Sequence, residues 1–377
     1  MRRVAVILGL TAVGTLATLG LAAAVVCLSS GCSTAAYYAQ AVSGHLDIVQ
    51  RAQPVAELLA SAQTDAALRE RLALSQQMRD FAVTELGLPD NASYRRYADL
   101  GRSAVVWNVV AAPELSLTLK TWCFAVVGCV GYRGYYRQEP AQALAQTLQS
   151  EGLEVRVYGV PAYSTLGWTN WLGGDPLLNT FLRWPEAQLA GLIFHELAHQ
   201  VVYVNGDTAF NESFATAVER LGAERWLARR GAGAAWAEQE LSAQRRRDFQ
   251  QLTGRYRTLL QELYASQLPD PDKRLRKAEL MSQLRSDHAQ LKTQQWQGFA
   301  GYDAWFANAN NASLAILGTY NDGVPAFLRL FEQQGRDFGR FYGSVKGLAA
   351  LPKEQRQATL RALAPATPGT PNALPTE

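Results

Sequence analysis

The 377-residue sequence predicts an α+β fold, in which a small twisted sheet of three to five strands packs on a central helix. Two observations support this class. Segments rich in β-branched and aromatic residues lie between residues 104 and 160, whereas nearly everything after residue 185 has helical periodicity. Strands and helices are therefore separated along the chain, which favours α+β over an alternating α/β arrangement.

Composition and charge narrow the classes of function. Hydrophobic residues make up 48% of the chain, enough for a sizeable core, and the net charge is only +3. The run Arg245–Arg247 is a local basic exception, but it lies in a polar, helix-periodic stretch. A solvated helix face is favoured there over a nucleic-acid patch, so no nucleic-acid partner is expected.

The first 31 residues have the pattern of an export signal, because two arginines precede an apolar stretch from Val4 to Leu28. The following Ser-Ser-Gly-Cys resembles a bacterial lipobox, which would make Cys32 the lipidated N-terminus of the mature protein. Ser33 is not the aspartate that retains lipoproteins at the inner membrane, so an outer-membrane lipoprotein facing the periplasm is expected. The alternatives are an uncleaved helix anchored in the inner membrane and free secretion.

Two cysteines remain in the mature chain, Cys123 and Cys129. In an oxidising compartment a local disulfide is the favoured state. The competing interpretation is a pair of buried small hydrophobic residues.

Strand segments are recognised by their β-branched and aromatic content. They are Ala104–Val110 and Thr118–Val127, expected to pair with each other, and Leu153–Val160.

Helical segments are recognised by apolar residues three and four positions apart, and by proline-containing breaks between them. They are Tyr37 to about Leu86, Pro140–Ser150, Pro185–Val202, Asp207 to about Arg230, a long hairpin over 232–295 broken at Leu268–Pro271, and further helix to about Leu363. Residues 32–363 are thus expected to form one domain with a helical insertion, and the proline-rich residues 364–377 a disordered tail.

The motif that carries chemistry is His195-Glu196-Leu197-Ala198-His199. Residues four apart share a helix face, so both imidazoles can bind one ion while Glu196 projects beside them towards a water molecule. Neutral imidazoles suit zinc, and a catalytic site needs a third protein ligand and an open position. The alternative is a structural pair of histidines.

The third ligand is suggested by a resemblance. Asn211-Glu212-Ser213-Phe214-Ala215 resembles a segment of the gluzincin peptidases, in which a glutamate of the next helix completes the zinc site. This implies that Glu212 is the ligand. The spacing from His199 is shorter than in aminopeptidase N-like enzymes, and their substrate strand is missing, so the chain is not a direct member of that group. Glu219 is the alternative ligand, or a partner that orients one.

Most of the chain also resembles a family of bacterial lipoproteins predicted to be zinc aminopeptidases. The matching segments are Gly31-Cys32, Tyr37-Tyr38-x-Gln40, Gly128–Tyr135, Ala162–Gly167, the zinc motif, Phe210–Ala215, Asn310–Ala312, Tyr320 and Val324–Phe327. The resemblance implies a zincin-like fold, with the sheet packed on the active-site helix, and aminopeptidase activity.

Other residues are assigned by position. Tyr163, Ser164, Thr165, Leu166 and Gly167 are expected to form an edge strand that pairs with substrate, or else an ordinary strand and turn. Tyr320 is the candidate hydroxyl for the developing oxyanion, or else a packed aromatic. His45 and His288 are expected on the surface, and Asn310 and Asn311 either bind substrate or cap a helix.

The sequence therefore predicts a zinc metallopeptidase with one Zn²⁺ ion, His195, His199 and Glu212 as ligands, and Glu196 as general base acting on a metal-activated water. Its expected partners are a peptide or protein substrate and a membrane, through the lipid. The alternatives are a zinc endopeptidase and a metal-stabilised envelope lipoprotein without catalytic activity. The intact Glu196 argues against the last, because a structural site needs no base.

Overall fold

The computed structural model describes residues 32–124, 128–162, 174–231, 233–317 and 323–363, and it has α+β architecture. The predicted signal segment and C-terminal tail lie outside these residues. Thirteen helices and eight strands are formed within them. In chain order they are α1 Cys32–Arg51, β1 Gln53–Pro54, α2 Val55–Ala60, α3 Ala66–Thr84, β2 Arg96–Ala98, β3 Val106–Pro113, β4 Trp122–Phe124, β5 Gly128–Val130, β6 Arg133–Tyr135, α4 Gln138–Ser150, β7 Leu153–Val160, β8 Leu177–Leu178, α5 Glu186–Ala198, α6 Thr208–Arg230, α7 Gly233–Ala265, α8 Asp270–Gln294, α9 Asp303–Ala307, α10 Asn311–Leu317, α11 Val324–Gln333, α12 Phe338–Ala349 and α13 Lys353–Leu363.

The chain divides into two compact units, the first ending at Arg51 and the second comprising the rest. The described part of the first unit is helix α1, on which His45 is partly buried. Among the described residues, no helix has both the length and the apolar character needed to cross a bilayer.

Two three-stranded sheets are formed by the described residues, and the one with strand order β6-β3-β7 is antiparallel. Strands β3 and β7 pair over their full length, from Val106 opposite Val160 to Pro113 opposite Leu153. Four successive residues at the end of β3, Val109–Ala112, are fully buried, so both faces of the strand are covered. Helices α4 and α10 both pack on this sheet.

The predicted pairing of Ala104–Val110 with Thr118–Val127 is wrong. Strand β3 pairs with β6 and β7, while β4 pairs with β5 in a separate two-stranded sheet. Cys123 lies opposite Cys129 in that pair, and the two form a disulfide. Composition indicates which segments are extended, but the pairing depends on register and on strand length, which are non-local.

The helical insertion is a hairpin of α7 and α8 with a hydrophobic core that includes Tyr256, Leu260, Leu284 and Trp296. His288 was expected on the surface but is 7% exposed, with its ring stacked on Phe306 at 4.0 Å. The sequence around His288 is polar because α8 presents mostly charged residues to solvent and buries only a few side chains.

Helix α6 lies at the centre of the second unit, packed against α5, α7 and α11. Its apolar side includes Phe214, whose ring contacts Phe327, Phe341 and Tyr342. These aromatic contacts hold α6 against α11 and α12, and α6 also packs against α5.

Candidate metal centre

Helix α5 carries His195 and ends just before His199, and a buried apolar side determines how the helix is oriented. Leu189, Ile193, Phe194 and Leu197 are completely buried, which orients the helix. The helix ends at Ala198, four residues before the predicted end, because Gln200 and Val201 donate to carbonyls only three residues back. His199 still has helical dihedral angles of −59° and −22°, so it lies one turn from His195 on the same side.

Helix α6 brings Glu212 to the histidines through a short connection. Asp207 caps the helix by accepting a hydrogen bond from the Phe210 N–H, as its position in the sequence suggested. Asn211 is 1% exposed, and its side-chain amide bonds both the N–H and the C=O of Val204 at 2.8 Å. The connection is therefore fixed by the residue that immediately precedes Glu212.

The carboxylate of Glu212 faces both imidazoles. Its Oε2 lies 3.4 Å from His195 Nε2, and its Oε1 lies 3.7 Å from His199 Nε2. One ligand atom from each of the three residues lies within 4.8 Å of the others. Ligands about 2.1 Å from a tetrahedral zinc ion are separated by about 3.4 Å, so these side chains fit a single zinc ion.

Electrostatics at this point favour a cation. Burial opposes protonation of His195, but hydrogen bonds with Glu212 and Glu219 and the charge of Glu196 outweigh it and raise the pKa of His195 to about 10. Burial, together with the neighbouring His195, lowers the pKa of His199 to about 4. Burial also opposes ionisation of Glu212, yet its hydrogen bond with His195 lowers the pKa of this carboxyl. Glu212 is thus ionised and His199 neutral, as zinc ligands must be, whereas His195 has to release a proton before it can bind a metal.

Glu219 contacts the other side of His195. Its Oε2 lies 3.2 Å from Nδ1, whereas Glu212 faces Nε2. A carboxylate on Nδ1 fixes the tautomer and the ring, leaving the Nε2 lone pair available to a metal. Glu219 therefore lies against the ring nitrogen of His195 that Glu212 does not face.

Glu196 is half-buried beside His195, and sequence reasoning missed a residue near it. Tyr94 is 2% exposed, and burial together with the charges of Glu196 and Asp175 raises its pKa well above the usual value. Its backbone has a φ of 64°, the left-handed region that non-glycine residues rarely adopt. Such a conformation persists only where the surroundings impose it.

The surroundings of Tyr94 are a loop held by buried Arg79. This guanidinium, 0% exposed, donates to the carbonyls of Pro89, Asn91 and Ser93. The loop in turn holds the residue after His199, since Asn91 donates to Gln200 at 2.6 Å and Gln200 donates to Ser93 Oγ at 3.2 Å. The sequence from Pro89 to Asn91 indicates only that the helical segment before it ends, because partners of backbone carbonyls leave no pattern in a sequence.

Tyrosines surround the exposed side of the centre. The ring of Tyr203 lies 6.5 Å from that of His199 and is half exposed. Burial raises the pKa of Tyr132, and nearby Tyr158, Glu212 and Tyr203 raise it further. These residues have no spacing that would have identified them.

The structure does not bring the remaining predicted site residues to the candidate centre within the part of the chain that it describes. Tyr320 and the segment Tyr163–Gly167 lie outside the described residues. The side chains of Asn310 and Asn311 have structural partners: Asn310 accepts from Ser313 N–H, and Asn311 donates to the carbonyls of Pro113 and Glu114.

The fold and these side chains define a candidate metal centre built on two packed helices. A family model described as "Putative aminopeptidase" matches residues 36–360, and the chain belongs to this family. The family's description is consistent with peptidase activity. Neither the curated proteins nor the solved structures include a significant match to the chain.

Proposed function

We propose that this protein is a zinc-dependent aminopeptidase with a zincin-like arrangement, in which His195, His199 and Glu212 hold one ion. The observation that carries the proposal is the convergence of these three ligand atoms within 4.8 Å on one side of α5 and α6. Three protein ligands, rather than four, are typical of a catalytic zinc site, since an open position is needed for water or substrate.

When bound, zinc polarises a carbonyl and lowers the pKa of a water molecule. The chain supplies the remaining functions. Glu196, one residue from a ligand, accepts a proton from the attacking water and delivers it to the leaving amine. Tyr94, buried near Glu196, and the loop that holds Gln200 limit how far the base and His199 can move.

The location proposed for this activity is the bacterial cell envelope. Cys32 lies where a lipid anchor would be attached, and the Cys123–Cys129 disulfide is compatible with an oxidising compartment. A lipoprotein at the outer membrane would meet peptides in the periplasm.

An aminopeptidase also needs an acidic group for the free α-amine of its substrate. Two glutamates of α5 and α6 have other partners: Glu186 bonds Trp226 and Arg230, and Glu219 bonds His195. Aminopeptidase and endopeptidase activity are therefore separated by substrate, since N-acetylated substrates lack the free α-amine that an aminopeptidase binds.

The test combines metal content with hydrolysis. Wild-type protein and Glu196→Gln are loaded with zinc and assayed on aminoacyl amides, N-acetylated counterparts and internally quenched peptides. Both should retain one zinc ion, and the variant should lose roughly 10²- to 10⁴-fold in turnover, the usual contribution of a general base. Glu224→Gln, which changes a surface glutamate of α6, is the matched control and should behave as wild type.

Wild-type turnover by Glu196→Gln would contradict the mechanism. Cleavage of acetylated and internal bonds would assign an endopeptidase instead. Zinc binding without hydrolysis of any substrate would favour the metal-stabilised lipoprotein.

A further inference from the structure

The arginine run of the helical hairpin has a feature that its sequence did not indicate. Arg247 donates to Gln244 on its own helix, and Arg245 lies over the ring of Phe299. Arg246 instead extends from α7 to another helix, where its Nη1 lies 3.5 Å from Glu219 Oε1. Arg247 thus has a contact within its own helix and Arg245 contacts a ring just beyond α8, whereas Arg246 reaches towards the metal centre.

Both carboxylate oxygens of Glu219 consequently have a partner. Oε2 lies 3.2 Å from His195 Nδ1, and Oε1 faces the guanidinium of Arg246. A carboxylate with one partner can rotate about its terminal bond, whereas a second partner on the other oxygen restricts this rotation. The carboxylate of Glu219 thus lies between His195 of α5 and Arg246 of α7, with one partner at each oxygen.

Space for this arrangement is provided by a glycine on α5. A Cβ atom at Gly191 would lie 3.0 Å from Glu219 Cγ and 3.6 Å from its Oε1. A side chain at this position would contact Glu219 more closely than almost all real Cβ atoms contact their neighbours, so Glu219 would have to shift. The close approach of α5 and α6 at this point is therefore matched to Glu219.

We infer that Arg246 is a positioning residue of the metal centre: it holds Glu219, which in turn fixes the imidazole of His195 with Nε2 directed towards Glu212. This inference rests on the proposed zinc site and extends it to the helical hairpin. The hydrophobic core of the hairpin includes residues of α9 and α10, and α7 also packs against α5 and α6. Through Arg246, the orientation of a ligand would depend on a helix that carries none of the three ligands.

The exposure of this ion pair separates its effect on the metal from any effect on stability. The side chain of Arg246 is 42% exposed and that of Glu219 is 23% exposed. A pair this accessible contributes little to global stability. A change in zinc affinity on removing Arg246 therefore cannot be attributed to unfolding, and the two quantities can be measured separately.

The experiment compares zinc affinities of the full chain by competition with a chelator. The variants are Arg246→Ala, Arg246→Lys, Glu219→Gln and the double variant Glu219→Gln with Arg246→Ala. Arg247→Ala is the matched control, since it removes the same charge from the adjacent position of α7. Thermal unfolding of each metal-free variant checks that the fold is retained.

Arg246→Ala is expected to weaken zinc binding roughly threefold to tenfold, less than the 10- to 100-fold typical of a residue that bonds a ligand directly. Arg246→Lys should recover part of the loss, and Arg247→Ala should bind as wild type. Because Arg246 acts through Glu219, Arg246→Ala should cause no additional loss in the Glu219→Gln background.

Either of two results would overturn the inference alone. In the first, the wild type binds zinc, and Arg246→Ala binds it as tightly as Arg247→Ala does. In the second, Arg246→Ala lowers zinc affinity as much in the Glu219→Gln background as it does alone. A wild-type chain that binds no zinc would overturn the proposed function as well. Gly191→Ala provides an independent check, since it should weaken zinc binding by displacing Glu219 while Arg246 is intact.

Discussion

Replacing Glu212 should affect zinc binding more than replacing Glu219, although both glutamates contact His195. The two residues lie on α6 and face different nitrogens of the same ring. Glu212 also reaches His199, at 3.7 Å, so its removal deprives the ion of a carboxylate directed at both imidazoles. Glu219→Ala leaves both Nε2 atoms and the Glu212 carboxylate in place.

The distances determine the expected size of each effect. In the proposed site Glu219 would bond a ligand without facing the ion, and loss of such a partner costs roughly 10- to 100-fold in metal affinity, or about 1.4 to 2.7 kcal/mol. Loss of Glu212, which faces Nε2 of His195 at 3.4 Å, should exceed the upper end of that range. Two histidines alone leave fewer protein ligands than the three of a catalytic zinc site.

The assay is zinc retention by the two alanine variants during dialysis against a series of chelators of increasing strength. Glu224→Ala, at an exposed position of α6, is the control for loss of a negative charge. Glu212→Ala should lose its metal to the weakest chelators and Glu219→Ala only to stronger ones. If Glu219→Ala loses zinc while Glu212→Ala retains it, the ligand assignment is wrong.

Three further predictions concern stability and targeting. Asn211→Ala should lower the free energy of unfolding by about 2 to 4 kcal/mol, because the N–H and C=O of Val204 lose their partner, and urea denaturation measures this. Arg356→Met should lower it by about 3 to 5 kcal/mol, because it leaves Asp207 as a buried charge without its guanidinium. Cys32→Ala should prevent lipidation and leave an unprocessed precursor, as detected by labelling with a fatty-acid analogue.

Each of these predictions has a matched control or a contradictory result. Asn308→Ala and Arg276→Met alter exposed side chains with local partners and should change the free energy of unfolding by less than about 0.5 kcal/mol. If Asn211→Ala or Arg356→Met lowers the free energy of unfolding by less than about 1 kcal/mol, the buried hydrogen bonds stabilise the fold less than expected. Unchanged labelling of Cys32→Ala would exclude the lipoprotein.

Local features of the fold could be predicted from the sequence, because the signals that specify them are local. The strand Leu153–Val160 and the start of α6 after Asp207 follow from alternation and from a capping aspartate. The break between α7 and α8 follows from two closely spaced prolines. The spacing of His195 and His199 likewise places them on one side of a helix.

Other features depend on contacts between distant residues and left no local signal. Strand β3 pairs with β6 and with β7, whose paired residues lie forty or more positions further along the chain, and not with the nearer apolar segment. Arg79 appears as an ordinary polar residue of a helix, yet it is fully buried and bonds backbone carbonyls. The link from Arg246 to Glu219 joins two helices whose packing no periodicity specifies.

The zinc site itself is tested most directly by diffraction from crystals of the full chain grown with zinc, with data collected on both sides of the zinc absorption edge. One strong anomalous peak is expected within about 2.0 to 2.2 Å of His195 Nε2, His199 Nε2 and a carboxylate oxygen of Glu212. A peak that has Glu219 in place of Glu212, or no peak at these histidines in crystals that bind zinc elsewhere, would contradict it.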